Sequence, residues 1–139
     1  SENVEALSGF RFLSQYEEVW KKTGTAGSNG YGTTTPSLDF AQYVPQQATL
    51  AHCYLRLEAV LGGGSAADPY LGVQWYADGS PDWITLFEVT TTLALVDNMS
   101  PDYTVSVQVP LTSSKTGTVR YIESGGTTWT YTLTIYGYS

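Results

Sequence analysis

Residues 51–61 read AHCYLRLEAVL. The odd positions, Ala51, Cys53, Leu55, Leu57, Ala59 and Leu61, are all apolar. The even positions are His52, Tyr54, Arg56, Glu58 and Val60. Period two marks a strand with one dry face and one wetter face. A helix would place its apolar residues at i, i+3, i+4 and i+7, and this stretch does not. A slip of one residue would turn Arg56 and Glu58 into the core, so the register is expected to be fixed. The strand is expected to be central, with Leu55 and Leu57 buried.

Outward from that strand, turn signals and alternating runs follow each other. Toward the N-terminus, Leu38, Phe40 and Tyr43 begin a short strand before Pro45, and Gly24–Pro36, rich in glycine, reads as loop. Phe10–Lys22, FRFLSQYEEVWKK, reads two ways: Phe10, Phe12, Tyr16 and Trp20 suit a strand, while Leu13, Tyr16, Val19 and Trp20 suit a short helix. Ser1–Gly9 reads as an arm ahead of one domain over residues 10–139. Toward the C-terminus, Gly62–Pro69 is a second loop and Tyr70–Ala77 a strand, followed by the turn Asp78-Gly79-Ser80-Pro81. Trp83–Val96 is long enough for one bent strand or two. Tyr103–Leu111 and Thr118–Glu123 are strands, Gly125-Gly126 reads as a hairpin turn, and Thr127–Tyr138 closes the chain. Seven or eight strands separated by Gly-rich connections predict an all-β antiparallel sandwich, and long crossings favour a jelly roll over a meander.

Composition narrows the function classes. At 139 residues the chain suits a single domain that needs no disulfide or metal to hold its core. Charged residues make up 14%, against about 25% in an ordinary globular protein. Thr, Ser, Gly and eleven Tyr supply the remaining polarity. The net charge of −7, with Arg11, Lys21, Lys22, Arg56, Lys115 and Arg120 scattered, argues against nucleic acid and against anionic membrane as partners. No signal-peptide pattern and no run of eighteen apolar residues is present, so neither a leader nor a membrane span is expected.

Catalytic chemistry finds little to use. His52 is the sole histidine and Cys53 the sole cysteine, and alternation puts them on opposite faces. No Gly-x-Ser-x-Gly motif occurs, so neither a triad nor a zinc site is expected. Asp68, Asp78, Asp82, Asp97 and Asp102 fall in turns, where Asp bonds nearby amides more often than it binds calcium. A glycosidase pair such as Glu58 with Glu88 would need one shared cleft. No catalytic residue, metal or cofactor is therefore assigned, and no enzyme is expected. The aromatic residues are the better candidates for binding: Tyr70, Trp75, Tyr76, Trp83, Tyr136 and Tyr138. Trp75 and Tyr76 must face opposite ways, and Tyr136 and Tyr138 should share a face. Exposed rings stack on sugars and anchor protein interfaces.

The closing strand, TWTYTLTIYGYS, is Thr-rich and ends on aromatic-glycine-aromatic. In this it resembles the head domains of bacteriophage fibres and the small jelly-roll decoration (cement) proteins of phage capsids. The resemblance implies a virion structural protein, a homotrimer that stabilises the shell with other virion proteins or touches a host-surface glycan. The alternative is a secreted carbohydrate-binding module.

Overall fold

The computed structural model describes residues 9–25, 28–34, 37–61, 70–90, 102–123 and 127–139, with side chains outside 24–36, 59–70, 89–101 and 122–128. The expected arm over Ser1–Gly9 and the Gly62–Pro69 loop lie outside these residues, apart from Gly9. Nine strands are described: β1 (Arg11–Thr25), β2 (Ser28–Thr34), β3 (Leu38–Asp39), β4 (Leu50–Leu61), β5 (Tyr70–Ala77), β6 (Ile84–Thr90), β7 (Asp102–Pro110), β8 (Thr116–Glu123) and β9 (Thr127–Tyr138). One sheet runs β1-β9-β4-β7. The other runs β2-β8-β5-β6, with β3 also on β8. Every pairing is antiparallel. Of the consecutive pairs, β5–β6 alone are hydrogen-bonded neighbours; most other connections cross between sheets, which is the jelly-roll arrangement.

β4 sits between β9 and β7. It pairs with β7 from Leu50↔Pro110 to Glu58↔Asp102, and with β9 from Ala51↔Tyr138 to Leu61↔Thr127. The alternation read from the sequence holds: Ala51, Cys53, Leu55 and Leu57 are buried and Arg56 is exposed. Trp129, Tyr131, Leu133 and Ile135 of β9 join that inward row. Leu71, Val73 and Trp75 of β5 and Val119 and Tyr121 of β8 face them from the other sheet. Trp75 donates its indole N–H to the Pro110 carbonyl at 2.8 Å, and Phe40 meets its ring edge-on at 5.5 Å between centroids.

Several sequence expectations change. Phe10–Lys22 is not helical; from Arg11 it is strand. Its mixed pattern arises because β1 shifts register on β9 twice, between Phe12 and Glu17 and between Glu18 and Trp20. Each bulge breaks period two and brings apolar residues closer to helical spacing. Within the expected loop Gly24–Pro36, Ser28–Thr34 form β2, because β8 supplies a backbone partner that outweighs the low strand preference of glycine. The strand expected at Leu38–Tyr43 is two residues long, and the chain turns after Phe40. Gly125-Gly126, the place of the expected hairpin turn, lie outside the described residues; β8 and β9, on either side, belong to different sheets. The Asp78 turn does close the β5–β6 hairpin, with Gly79 at φ 88°.

Leu57→Ala is expected to cost about 2–5 kcal/mol in urea denaturation, through lost transfer energy and the cavity left behind. Arg56→Ala, at an exposed position one residue away, should move the midpoint far less.

Candidate functional site

The outer face of the β1-β9-β4-β7 sheet carries a cluster of rings at one end. β4 contributes His52 and Tyr54, β9 contributes Tyr136, and the start of the described chain contributes Phe10, Phe12 and Tyr16. Tyr54 and Tyr136 stack at 4.2 Å between centroids with 22° between planes. Phe10 meets Phe12 edge-on at 4.5 Å and His52 edge-on at 4.7 Å. Tyr16 completes the group, 6.0 Å from Tyr136 and 6.1 Å from Tyr54. None of the six is a formally charged residue at neutral pH, and three remain well exposed: Phe12 at 69%, Tyr16 at 52% and Phe10 at 38%.

Two backbone features build this cluster. β9 carries one extra residue against β4, because His52 pairs with Gly137 while Cys53 pairs with Ile135. Tyr136 is that residue, and it stays on the outer face with its hydroxyl 2.9 Å from Ser106 Oγ. After the bulge Tyr138 pairs with Ala51 and packs against the core. Tyr136 and Tyr138 therefore do not share a face, contrary to plain alternation. The second feature is Gly137, over which the Phe10 ring lies. A Cβ there would come within 2.5 Å of Phe10 Cε2 and 2.7 Å of the Arg11 carbonyl oxygen.

The other sequence candidates lie on the second sheet. Trp75 is 1% exposed, so it is a core residue and not a binding surface. Tyr76 faces out, as its neighbour's burial requires, 5.3 Å from the half-buried Trp83. The Arg120 guanidinium lies 4.0 Å from the centre of the Trp83 ring and donates to Gln74 Oε1 at 2.7 Å; Gln74 donates to Thr85 at 3.1 Å. Tyr70 heads β5, and its side chain lies outside the described residues. The structure thus divides the candidates between two faces. Phe10, Phe12, Tyr16 and Tyr54 were not singled out from the sequence. Tyr54 could have been found from its even position in the central strand.

Among the described residues, Cys53 is buried and His52, Asp78 and Asp102 are engaged. Burial pushes the Cys53 thiol up to about 12, which keeps it protonated. His52 Nε2 lies 2.9 Å from Ser139 Oγ, a contact the sequence did not suggest. No carboxylate is seen orienting the imidazole among the described contacts, and a nucleophilic pair needs such a group. Glu58 and Glu88 sit on different sheets and share no cleft. Asp78 accepts from Thr116 Oγ1 at 2.5 Å, and Asp102 accepts from Arg56 at 2.7 and 3.1 Å. Among the described residues no group of three His, Cys, Asp or Glu converges as metal ligands; Asp68 and Asp97 lie outside them. A cleft of about 190 Å³ opens where the first β1 bulge meets Gln42 and Tyr43, lined also by Leu13, Ser14, Gln15 and Glu17.

No protein-family model and no curated protein matches the chain. Among solved structures it is similar to a chain in the structure of the infectious bursal disease virus Gx strain, with a TM-score of 0.43 and 11% identity. That similarity covers 96% of this chain and 32% of the viral one, so this chain spans about a third of its length. A likeness this distant carries no argument about function.

Gly137→Ala is expected to destabilise the fold by about 1–3 kcal/mol, because the Arg11 backbone cannot yield to the new methyl group. Gly9→Ala, with nothing within 4 Å, is the control. Thermal denaturation of the two variants checks this.

The pH dependence follows from His52, whose pKa burial holds below the ordinary 6.5. The unfolded chain takes up that proton first as pH falls. The contribution to stability is whole above about pH 6.5 and is lost as pH falls through the folded-state value. Asp102 is held below the ordinary 3.8 by the hydrogen bond from Arg56, so its loss comes at lower pH. Urea midpoints should fall from pH 7 to 5 in the native chain and fall less in His52→Gln.

Proposed function

We propose that this chain is a non-enzymatic virion structural protein, a jelly-roll shell-decorating (cement) or fibre-head protein. In this reading the aromatic end of the β1-β9-β4-β7 sheet is seated on a neighbouring virion protein. The observation that carries the reading is the exposure of Phe12, Tyr16 and Phe10 within one contiguous cluster of uncharged rings. Isolated exposed apolar residues are ordinary, but a contiguous aromatic patch is the composition of an interface centre. Phenylalanine also lacks the polar handle that suits a sugar, and the edge-on packing of Phe10 leaves no broad flat platform. Chemistry is absent from the proposal because the single thiol is buried and protonated and the single imidazole is held by Ser139 and Phe10.

A second reading, binding of a host-surface or other glycan, is favoured by Tyr76 and Trp83 beside the polar run Arg120–Gln74–Thr85 on the opposite sheet. The two readings use different faces, so variants separate them.

Phe12→Ser with Tyr16→Ser is expected to abolish co-sedimentation with particles stripped of this protein, without lowering Tm, while Trp83→Ala leaves it intact. Loss of glycan-array binding in Trp83→Ala, with particle association untouched by the Phe12 and Tyr16 changes, would favour the second reading instead. Ester or polysaccharide hydrolysis by the purified chain that disappears in His52→Ala would overturn the non-enzymatic assignment.

A further inference from the structure

The two edges of the β1-β9-β4-β7 sheet are built differently. β1 breaks its register on β9 twice and carries Lys21 and Lys22. Bulges and edge lysines are devices that stop another strand from adding. On the second sheet, the pairings of β2 and β6 each contain a register shift as well. β7 has none of these defences. It pairs with β4 at every residue from Asp102 to Pro110 without a shift, and among the described residues it pairs with nothing else. No Lys or Arg occurs in its sequence, DYTVSVQVP, and its one acid, Asp102, is held by Arg56. Five of the nine residues, Tyr103, Thr104, Val105, Val107 and Val109, are types that favour strands. The result is a regular edge without basic residues, whose outer side has no strand partner among the described residues.

We propose that β7 is the seam of a twofold homodimer, formed when the β7 strands of two copies pair antiparallel about Ser106. The occupant is a second copy because β7 complements itself. With Ser106 on the twofold axis, Thr104 lies opposite the partner's Gln108, Val105 opposite the partner's Val107, and Tyr103 opposite the partner's Val109. Asp102 falls opposite the partner's Pro110, so no like charges meet. Residues of the same face remain together: Thr104, Ser106 and Gln108 are exposed on the outer face, and Val107 and Val109 are buried on the inner one. Tyr103 belongs to the inward series yet is 52% exposed, and the partner's Val109 would cover part of it. The two four-stranded sheets would become one sheet of eight, with both aromatic patches on the same outer side. Such an isologous contact closes at two copies, not at the three that the phage resemblance implies.

Two double variants test the register as well as the contact. Thr104→Lys with Gln108→Lys sets ammonium groups against each other at both ends of the seam. Thr104→Lys with Gln108→Glu sets opposite charges there. Within one strand the two positions are about 13 Å apart, too far to pair directly. Light scattering coupled to size exclusion should return the mass of two chains for the native protein and for the Lys/Glu variant. The Lys/Lys variant should run as one chain, with its dissociation constant raised at least about tenfold. Amide exchange in Tyr103–Val109 should slow as native protein concentration rises, and exchange in β1 should not. A native protein that stays a single chain at millimolar concentration overturns the proposal. So does a trimer, or equal behaviour of the two variants, or concentration-dependent protection at β1 in place of β7. Circular dichroism and Tm of both variants confirm that any loss of mass reflects dissociation of folded chains.

Discussion

The structure depends on the fixed register of β4. That strand is hydrogen-bonded on both edges, and its inward residues, Ala51, Cys53, Leu55 and Leu57, are buried against the second sheet. Its outward residues include the exposed Arg56, tied to Asp102 and Glu58. A one-residue slip would bury the guanidinium and expose the leucines, exchanging a favourable burial for an uncompensated charge. Because β7 and β9 are registered on β4, and β1 on β9, this one choice sets the inward row of the entire sheet. The facing row of Leu71, Val73, Trp75 and Val119 is then constrained by close packing.

Departures from that regularity are where the surface acquires character. The bulge at Tyr136 lets one tyrosine stay on the outer face while Tyr138, two residues on, turns to the core. Gly137 beside it leaves room for Phe10 to lie on the sheet. Without these two features, the end of the sheet would present a thinner row of threonines and tyrosines. The bulges of β1 are of the same kind, and they blunt one edge while β7 stays regular. In the β1-β9-β4-β7 sheet, the register shifts thus fall on β1 and β9, beside the aromatic cluster, while β7 has none.

The separation of the groups with catalytic potential among the described residues has an equally physical basis. Cys53 lies on the dry side of β4 and His52 on the wet side, so adjacent residues with catalytic potential point away from each other. Carboxylates serve turns and an ion pair: Asp39 accepts from the Ala41 amide, Asp78 from Thr116, and Asp102 from Arg56. Even the buried Lys115, at φ 61°, spends its ammonium on the Thr112 carbonyl at 3.1 Å. That bond lies in the β7–β8 connection, which crosses between the sheets.

The sequence by itself determined the class of fold, the central strand and its buried face, and the opposite facing of Trp75 and Tyr76, because these follow from period-two alternation and turn chemistry within a short window. Tertiary structure alone decided the rest. It made β2 from a glycine-rich stretch by giving it β8 as a partner. It put β8 and β9 on different sheets, since nothing local says which sheet the next strand joins. It split Tyr136 from Tyr138 by a bulge that depends on the β4 register. It sent Trp75, not Tyr76, into the core. It gathered Phe10, Phe12, Tyr16, His52, Tyr54 and Tyr136 into one surface. Those six come from three segments far apart in the chain, β4, β9 and β1 with the residue before it, and a contact between distant segments leaves no periodic mark on any of them.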